Sequence, residues 1–220
     1  MEEKSSTPFS FSPTVARLIF MTRLILTGGI ATGKSSFLGR VIESRPSFGV
    51  FDCDQAVHHL LTERPILARI HQLFGDRVFD DEVLNRSAMR QVVFADESYR
   101  RQLEDLLHPQ VRIRCEECFV DYSSEHPEGL FIADVPLYFE THGAYPNDMV
   151  AVVATTRLTQ QKRLMLRSQL LQSEAESIIQ AQMPIEEKVQ RADLLVWNES
   201  PIDRLDDQVA LFCGMFPSPN

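Results

Sequence analysis

Glycine at 28 and 33, followed at once by Lys34 and Ser35, is the G-x-x-x-x-G-K-[ST] spacing by which a chain grips a phosphate. Chance alone produces it in about one chain in a hundred of this length. The surroundings are those the pattern needs. "RLILT" (Arg23 to Thr27) suits a buried parallel strand, and "KSSFLGRVIE" follows with Phe37, Leu38, Val41 and Ile42 at helical spacing. Strand, glycine turn and helix start would surround an anion with backbone N–H groups. Lys34 would reach the β- and γ-phosphates of a nucleotide, and the Ser35 hydroxyl would help hold Mg²⁺.

Such a loop serves switches, motors and kinases alike, so the carboxylates matter. Asp52 and Asp54, in "VFDCDQA", stand two apart at the end of a second apolar run, and Asp134 ends a third. In a parallel sheet these strand ends share an edge with the phosphate loop, within reach of a bound cation or an acceptor hydroxyl. A single aspartate at a strand end is commonly a helix cap, but three in register with a phosphate loop favour chemistry. Further along, "TQQKRLMLRSQL" puts Arg163 and Arg167 on one helix face. Ser173 and Glu176 then look like the capping box of the next helix. Basic helix, polar turn and second helix suit a lid that brings arginines to phosphates; two exposed surface arginines are the plainer alternative. His58, His59 and His108 offer no metal-ligand spacing.

The elements that must position these groups are short and apolar. Strands are predicted at Arg23 to Thr27, Phe48 to Asp52, Leu130 to Asp134, Met149 to Ala154 and Leu194 to Trp197. Helical patterns separate them, which predicts an α/β fold with a five-stranded parallel sheet covered on both faces. Nearly eighty residues lie between the second and third strands, far more than a simple crossover needs. They carry helical patterns at Gln55 to Thr62, Ile66 to Phe74, Ser87 to Ala95, Ser98 to Leu107 and Gln110 to Tyr122. A helical insertion at about 55–125, placed over the carboxyl edge of the sheet, would bind an acceptor, and a lid is expected at about 159–185.

Composition narrows the classes. The 220 residues are 44% hydrophobic, enough for one sizeable domain at 22–220. Net charge is −9 with scattered basic residues, which argues against a nucleic-acid partner. No apolar run is long enough to span a membrane. Cys115 and Cys118 form a C-x-x-C inside a helical pattern without a second ligand pair, so they read as two thiols in a reducing cytosol. Residues 1–21 read as a loosely ordered extension, with early acidic residues and Pro8 and Pro13 where a secretory signal needs basic and apolar ones. A chain starting at Met21 is expected to keep its melting temperature and activity. A guanine-specific N-K-x-D segment is missing from "WNESP", which weighs against a GTPase switch.

Taken in order, "LTGGIATGKS", "FDCDQAVHHLL", "LFGDRVF", "LNRSAMRQVVF", "LLHPQV", "DVPLYFE", "QKRLMLR" and "AQMPIEEKVQRADLLVWNES" resemble the dephospho-coenzyme A kinase family. These segments span Leu26 to Ser200. The resemblance implies a P-loop NTPase core, a cytoplasmic enzyme, and transfer of the ATP γ-phosphate to the ribose 3′-hydroxyl of the small molecule dephospho-coenzyme A, with ATP and Mg²⁺. It implies Asp54 as the catalytic aspartate and Arg163 as a catalytic arginine beside Lys34. It places ATP against Gly29, Ala31, Thr32, Gly33, Lys34, Ser35, Ser36, Arg167 and Asn198, the last near adenine. It places the acceptor against Asp54, Leu107, His108 and Pro109. Two departures stand out. Ala31 replaces a glycine usual in that family's loop and must tolerate a glycine-like backbone, and Ser168 stands where an acidic or amide residue commonly follows the second arginine. Another nucleotide or nucleoside kinase, or a non-catalytic ATP-dependent switch, is the alternative.

Overall fold

The computed structural model describes residues 21–141, 145–199 and 202–217. The extension expected at 1–21 therefore lies outside the described residues, apart from Met21, which packs on the core. The chain runs β1 (Thr22–Gly28), α1 (Lys34–Ser44), β2 (Gly49–Asp52), α2 (Cys53–Leu60), α3 (Arg64–Phe74), β3 (Phe79–Asp80), β4 (Val83–Leu84) and α4 (Arg86–Ala95). It continues with α5 (Glu97–Glu125), β5 (Leu130–Asp134), β6 (Met149–Ala154), α6 (Arg157–Ser168), α7 (Gln172–Gln180), α8 (Ile185–Gln190), β7 (Leu194–Trp197) and α9 (Ile202–Gly214).

Five strands form one parallel sheet in the order β2-β5-β1-β6-β7. Alternation along each strand divides the core in two. Leu24, Leu26, Leu130, Ile132, Met149, Ala151 and Val153 face α1 and α9, where Phe37 meets Phe212 edge-on at 5.2 Å. Ile25, Phe131, Ala133, Val150, Val152 and Ala154 face the other way, toward side chains of α2, α3, α5 and α8. Strands buried on both faces have no polar register to read, which is why they appear in the sequence as unbroken apolar runs.

The insertion departs from its predicted outline. The two helices expected at 98–107 and 110–122 are one helix, α5, of 29 residues with Pro109 inside it. Proline removes one backbone hydrogen bond, but Leu107, Val111 and Cys115, on either side of it, are all buried in the same core and hold the halves in line. The short β3–β4 hairpin was not foreseen; two-residue strands carry too little pattern to register. The capping box is also shifted. The α7 start is held by Glu174, which accepts the Leu171 amide at 2.8 Å, while Glu176 pairs with Arg157 at 3.2 Å. Burial pushes the Cys53 and Cys115 thiols up to about 12, so both act as packing groups.

Candidate active site

β1 ends at Gly28 and α1 begins at Lys34, and the five residues between turn the chain through the carboxyl edge of the sheet. Ala31 adopts φ 59°, the left-handed backbone usually left to glycine, so the strain foreseen at this position is present. Gly33 sits at φ 90°, and a Cβ there would meet the Asn198 side chain at 2.1 Å. Gly33 brings no side chain to cap α1, so the first-turn amides of the helix stay available to a ligand. A cavity of about 540 Å³ opens over this turn, lined by Gly28 to Ser36 together with Asp54, Pro136, Arg163, Leu166, Arg167 and Gln182.

The three aspartates do reach one edge, where Asp52 and Asp134 are register partners on adjacent strands. Their roles then diverge. Asp52 accepts the Gln55 amide at 2.9 Å and caps α2. Because α2 starts at Cys53, Asp54 stands in the first helical turn rather than on the strand, with its carboxylate exposed in the cavity. Asp134 is 6% exposed and accepts a hydrogen bond from Lys34 Nζ. Burial raises the Asp134 carboxyl above its ordinary range, against the pull of Lys34.

Arg163 spans two carbonyls, donating to Thr32 O at 3.2 Å and Asn198 O at 2.9 Å. Asn198 lies behind the loop rather than in the cavity; it is 8% exposed and donates Nδ2 to Thr32 O at 2.8 Å. Arg167, one turn on, is exposed along the cavity wall. Next to Asn198, the Glu199 carboxylate accepts from the Thr156 amide at 2.8 Å, the Thr156 hydroxyl at 2.9 Å and the Thr159 hydroxyl at 2.5 Å, and also from the Thr155 hydroxyl. It clamps the start of α6 to the end of β7. These donors lower the Glu199 pKa from its ordinary 4.5 to about 2, the Thr155 hydroxyl most. A carboxyl with a depressed folded pKa stabilises above its unfolded value and loses that contribution as pH falls through the folded one. Glu199→Gln is therefore expected to lower the melting temperature at neutral pH, with the deficit shrinking between about pH 4.5 and about 2; a pH series of melting curves checks it.

The expected acceptor residues sit elsewhere. Leu107 is buried in the core at 6% exposure, and His108 and Pro109 are half-buried in the middle of α5; none of the three lines the loop cavity. Residue-by-residue inspection of the sequence missed Glu199, Gln160, Gln182 and Lys188 as site-forming groups. The last two stand in "AQMPIEEK", a segment matched to the family without a role. Among the described residues no three His, Cys, Asp or Glu side chains gather to hold a metal.

Comparison with known proteins matches residues 23–204 to the dephospho-CoA kinase (CoaE) family. A curated dephospho-CoA kinase from Helicobacter pylori J99 is 33% identical over 199 residues, covering 89% of this chain and 97% of that one. One from Symbiobacterium thermophilum is 40% identical, covering 84% and 77%. Among solved structures, TT1252 from Thermus thermophilus superposes with a TM-score of 0.73 at 28% identity, covering 88% of this chain and 96% of that one.

Proposed function

Because the chain belongs to the dephospho-CoA kinase family, it is an ATP-dependent phosphotransferase of coenzyme A biosynthesis, and we propose that Asp54, Lys34 and Arg163 carry its chemistry. The observation behind this assignment is that an exposed carboxylate, Asp54, and the loop lysine, Lys34, line one cavity at the carboxyl edge of the sheet. The reaction moves the ATP γ-phosphoryl group to the ribose 3′-hydroxyl of dephospho-coenzyme A. The hydroxyl oxygen bonds to the γ-phosphorus, the bond to the β-phosphate oxygen breaks, and ADP leaves. Asp54 orients the hydroxyl and takes its proton late in transfer.

Lys34 leaves Asp134 for the β- and γ-phosphates, offsetting charge where it spreads over the transferring group. Mg²⁺, when bound, neutralises phosphate charge. The Ser35 hydroxyl would hold it, with Asp134 acting through water. Such an oxygen donor set, short of a full protein cage, suits a cation that keeps several waters and is shared with substrate. His108 and Pro109 face the acceptor, with Leu107 as their anchor in the core. The lid, about 159–185, closes over the phosphates, and Leu166, 87% exposed on the cavity wall, gives it an apolar surface to cover. No described helix is long and apolar enough to cross a membrane. We place the reaction in the cytoplasm, without a nucleic-acid partner.

Incubation with Mg-ATP and dephospho-coenzyme A, followed by mass analysis, should yield coenzyme A. Phosphorylation of AMP, CMP or adenosine instead would move the enzyme to another substrate class. Nucleotide binding with no acceptor phosphorylated would make it a switch. For the lid, Arg163→Ala should lower turnover more than Arg167→Ala, since only Arg163 also bridges two carbonyls at the loop. Arg163→Lys should restore little, because one ammonium lacks the fork that spans both. Wild-type turnover in both alanine variants would make the arginines ordinary surface residues.

A further inference from the structure

The segment from Gln182 to Lys188 and the carboxylate of Glu140 take no part in the chemistry above, yet they fasten the phosphate loop. Lys188 is fully buried; its Nζ lies 2.7 Å from Glu140 Oε1 and donates to Gly28 O at 3.2 Å. The same Glu140 oxygen accepts the Met183 amide at 3.0 Å, where the chain leaves the lid. Gln160, 3% exposed on α6, donates to Ile30 O at 2.8 Å. Gln182 accepts the Ile30 amide at 2.8 Å.

These contacts make a pattern. The carbonyls of Gly28, Ile30 and Thr32, every second one in the loop, each accept from a side chain outside it: Lys188, Gln160, and Arg163 with Asn198. In a planar trans peptide the carbonyl and the following N–H point to opposite sides. Pinning these carbonyls outward therefore turns the amides of Gly29, Ala31 and Gly33 the other way. The intervening amides are already engaged, Ile30 with Gln182 and Thr32 with Gly29 O. Converging N–H dipoles repel one another in an empty loop, and the loop places Ala31 at a strained φ, so something must hold that arrangement.

We propose that Lys188, with Glu140, and the pair Gln160 and Gln182 are positioning residues that pre-form the phosphate loop for ATP. This rests on ATP as the ligand of the loop. A buried ammonium is costly where a neutral side chain could fill the same space; here it supplies a donor that methionine lacks. The brace draws on both arms of the lid, α6 before its tip and the exit after α7, so these roots stay fixed to the loop while the tip closes. Ordering done before binding need not be done during it, so the consequence falls on ATP affinity.

The test uses Gln182→Met, a half-exposed position, and the double variant Lys188→Met/Glu140→Gln, which removes the buried charge along with its partner and keeps an acceptor for Met183. Melting temperature, ATP affinity by calorimetry and the KM for dephospho-coenzyme A are measured for each. ATP affinity should fall roughly three- to tenfold in both, the order expected for one lost hydrogen bond. The acceptor KM should stay within about twofold. Wild-type ATP affinity in folded Gln182→Met overturns the brace, whatever its melting temperature, and so does an equal rise in both substrate constants. If wild-type protein binds ATP but makes no coenzyme A, the assigned reaction fails, and the brace is still decided by the ATP affinities.

Discussion

Asp54→Asn should lower turnover roughly 10²–10⁴-fold, the usual range for losing a general base. A ribose hydroxyl is a weak nucleophile at neutral pH; asparagine keeps the shape of Asp54 but can neither take the proton nor favour the developing positive charge on it. ATP affinity should change little, since the loop that grips the phosphates is untouched. Asp52 supplies the control. Its carboxylate already caps α2 through the Gln55 amide, and asparagine caps a helix about as well as aspartate. Asp52→Asn should therefore stay close to wild type in steady-state kinetics. A dead Asp52→Asn beside a working Asp54→Asn would put the base on the strand end instead.

Lys34→Ala should abolish measurable turnover in a protein that still folds. The lysine charge acts where negative charge accumulates in transfer, and no other cationic side chain replaces it inside the loop. The variant also strands Asp134, buried at 6% exposure, without its partner. That carboxyl is already raised by burial, and losing Lys34, which lowers it, raises it further. The folded state then binds more protons than the unfolded one between the ordinary 3.8 and the raised value. Stability in the variant consequently falls as pH rises through the raised value. Melting curves should show the smallest deficit at acid pH, and Lys34→Ala/Asp134→Asn should recover stability at neutral pH without recovering activity. Near-normal activity in folded Lys34→Ala would remove the phosphate-loop assignment.

Local pattern determined a large part of this protein. Leu130–Asp134 and Met149–Ala154 are strands at the bounds their apolar runs predict, because a strand buried on both faces needs little beyond such a run; the half-exposed edge strand Leu194–Trp197 also keeps the bounds of its run. The phosphate loop is equally local: its glycines, Lys34 and Ser35 are close in sequence, so spacing alone carries the geometry. Tertiary structure decided what depended on residues far apart in the chain. Pro109 marks a break by its own chemistry, yet packing on both sides of it keeps α5 whole. Asp52 and Asp54 look interchangeable two positions apart; the start of α2 at Cys53 makes one a cap and leaves the other facing the cavity. The contacts of Gln160, Gln182, Lys188 and Arg163 with the loop bridge separations of 130, 152, 160 and 131 residues. Glutamine and lysine are ordinary surface residues in composition; the family resemblance marks the segment that holds Gln182 and Lys188, but no local pattern gives either side chain a role. Only the parallel sheet, by carrying β1 and β6 side by side, brings the roots of the lid against the loop, and a hydrogen bond exists only once that approach has been made.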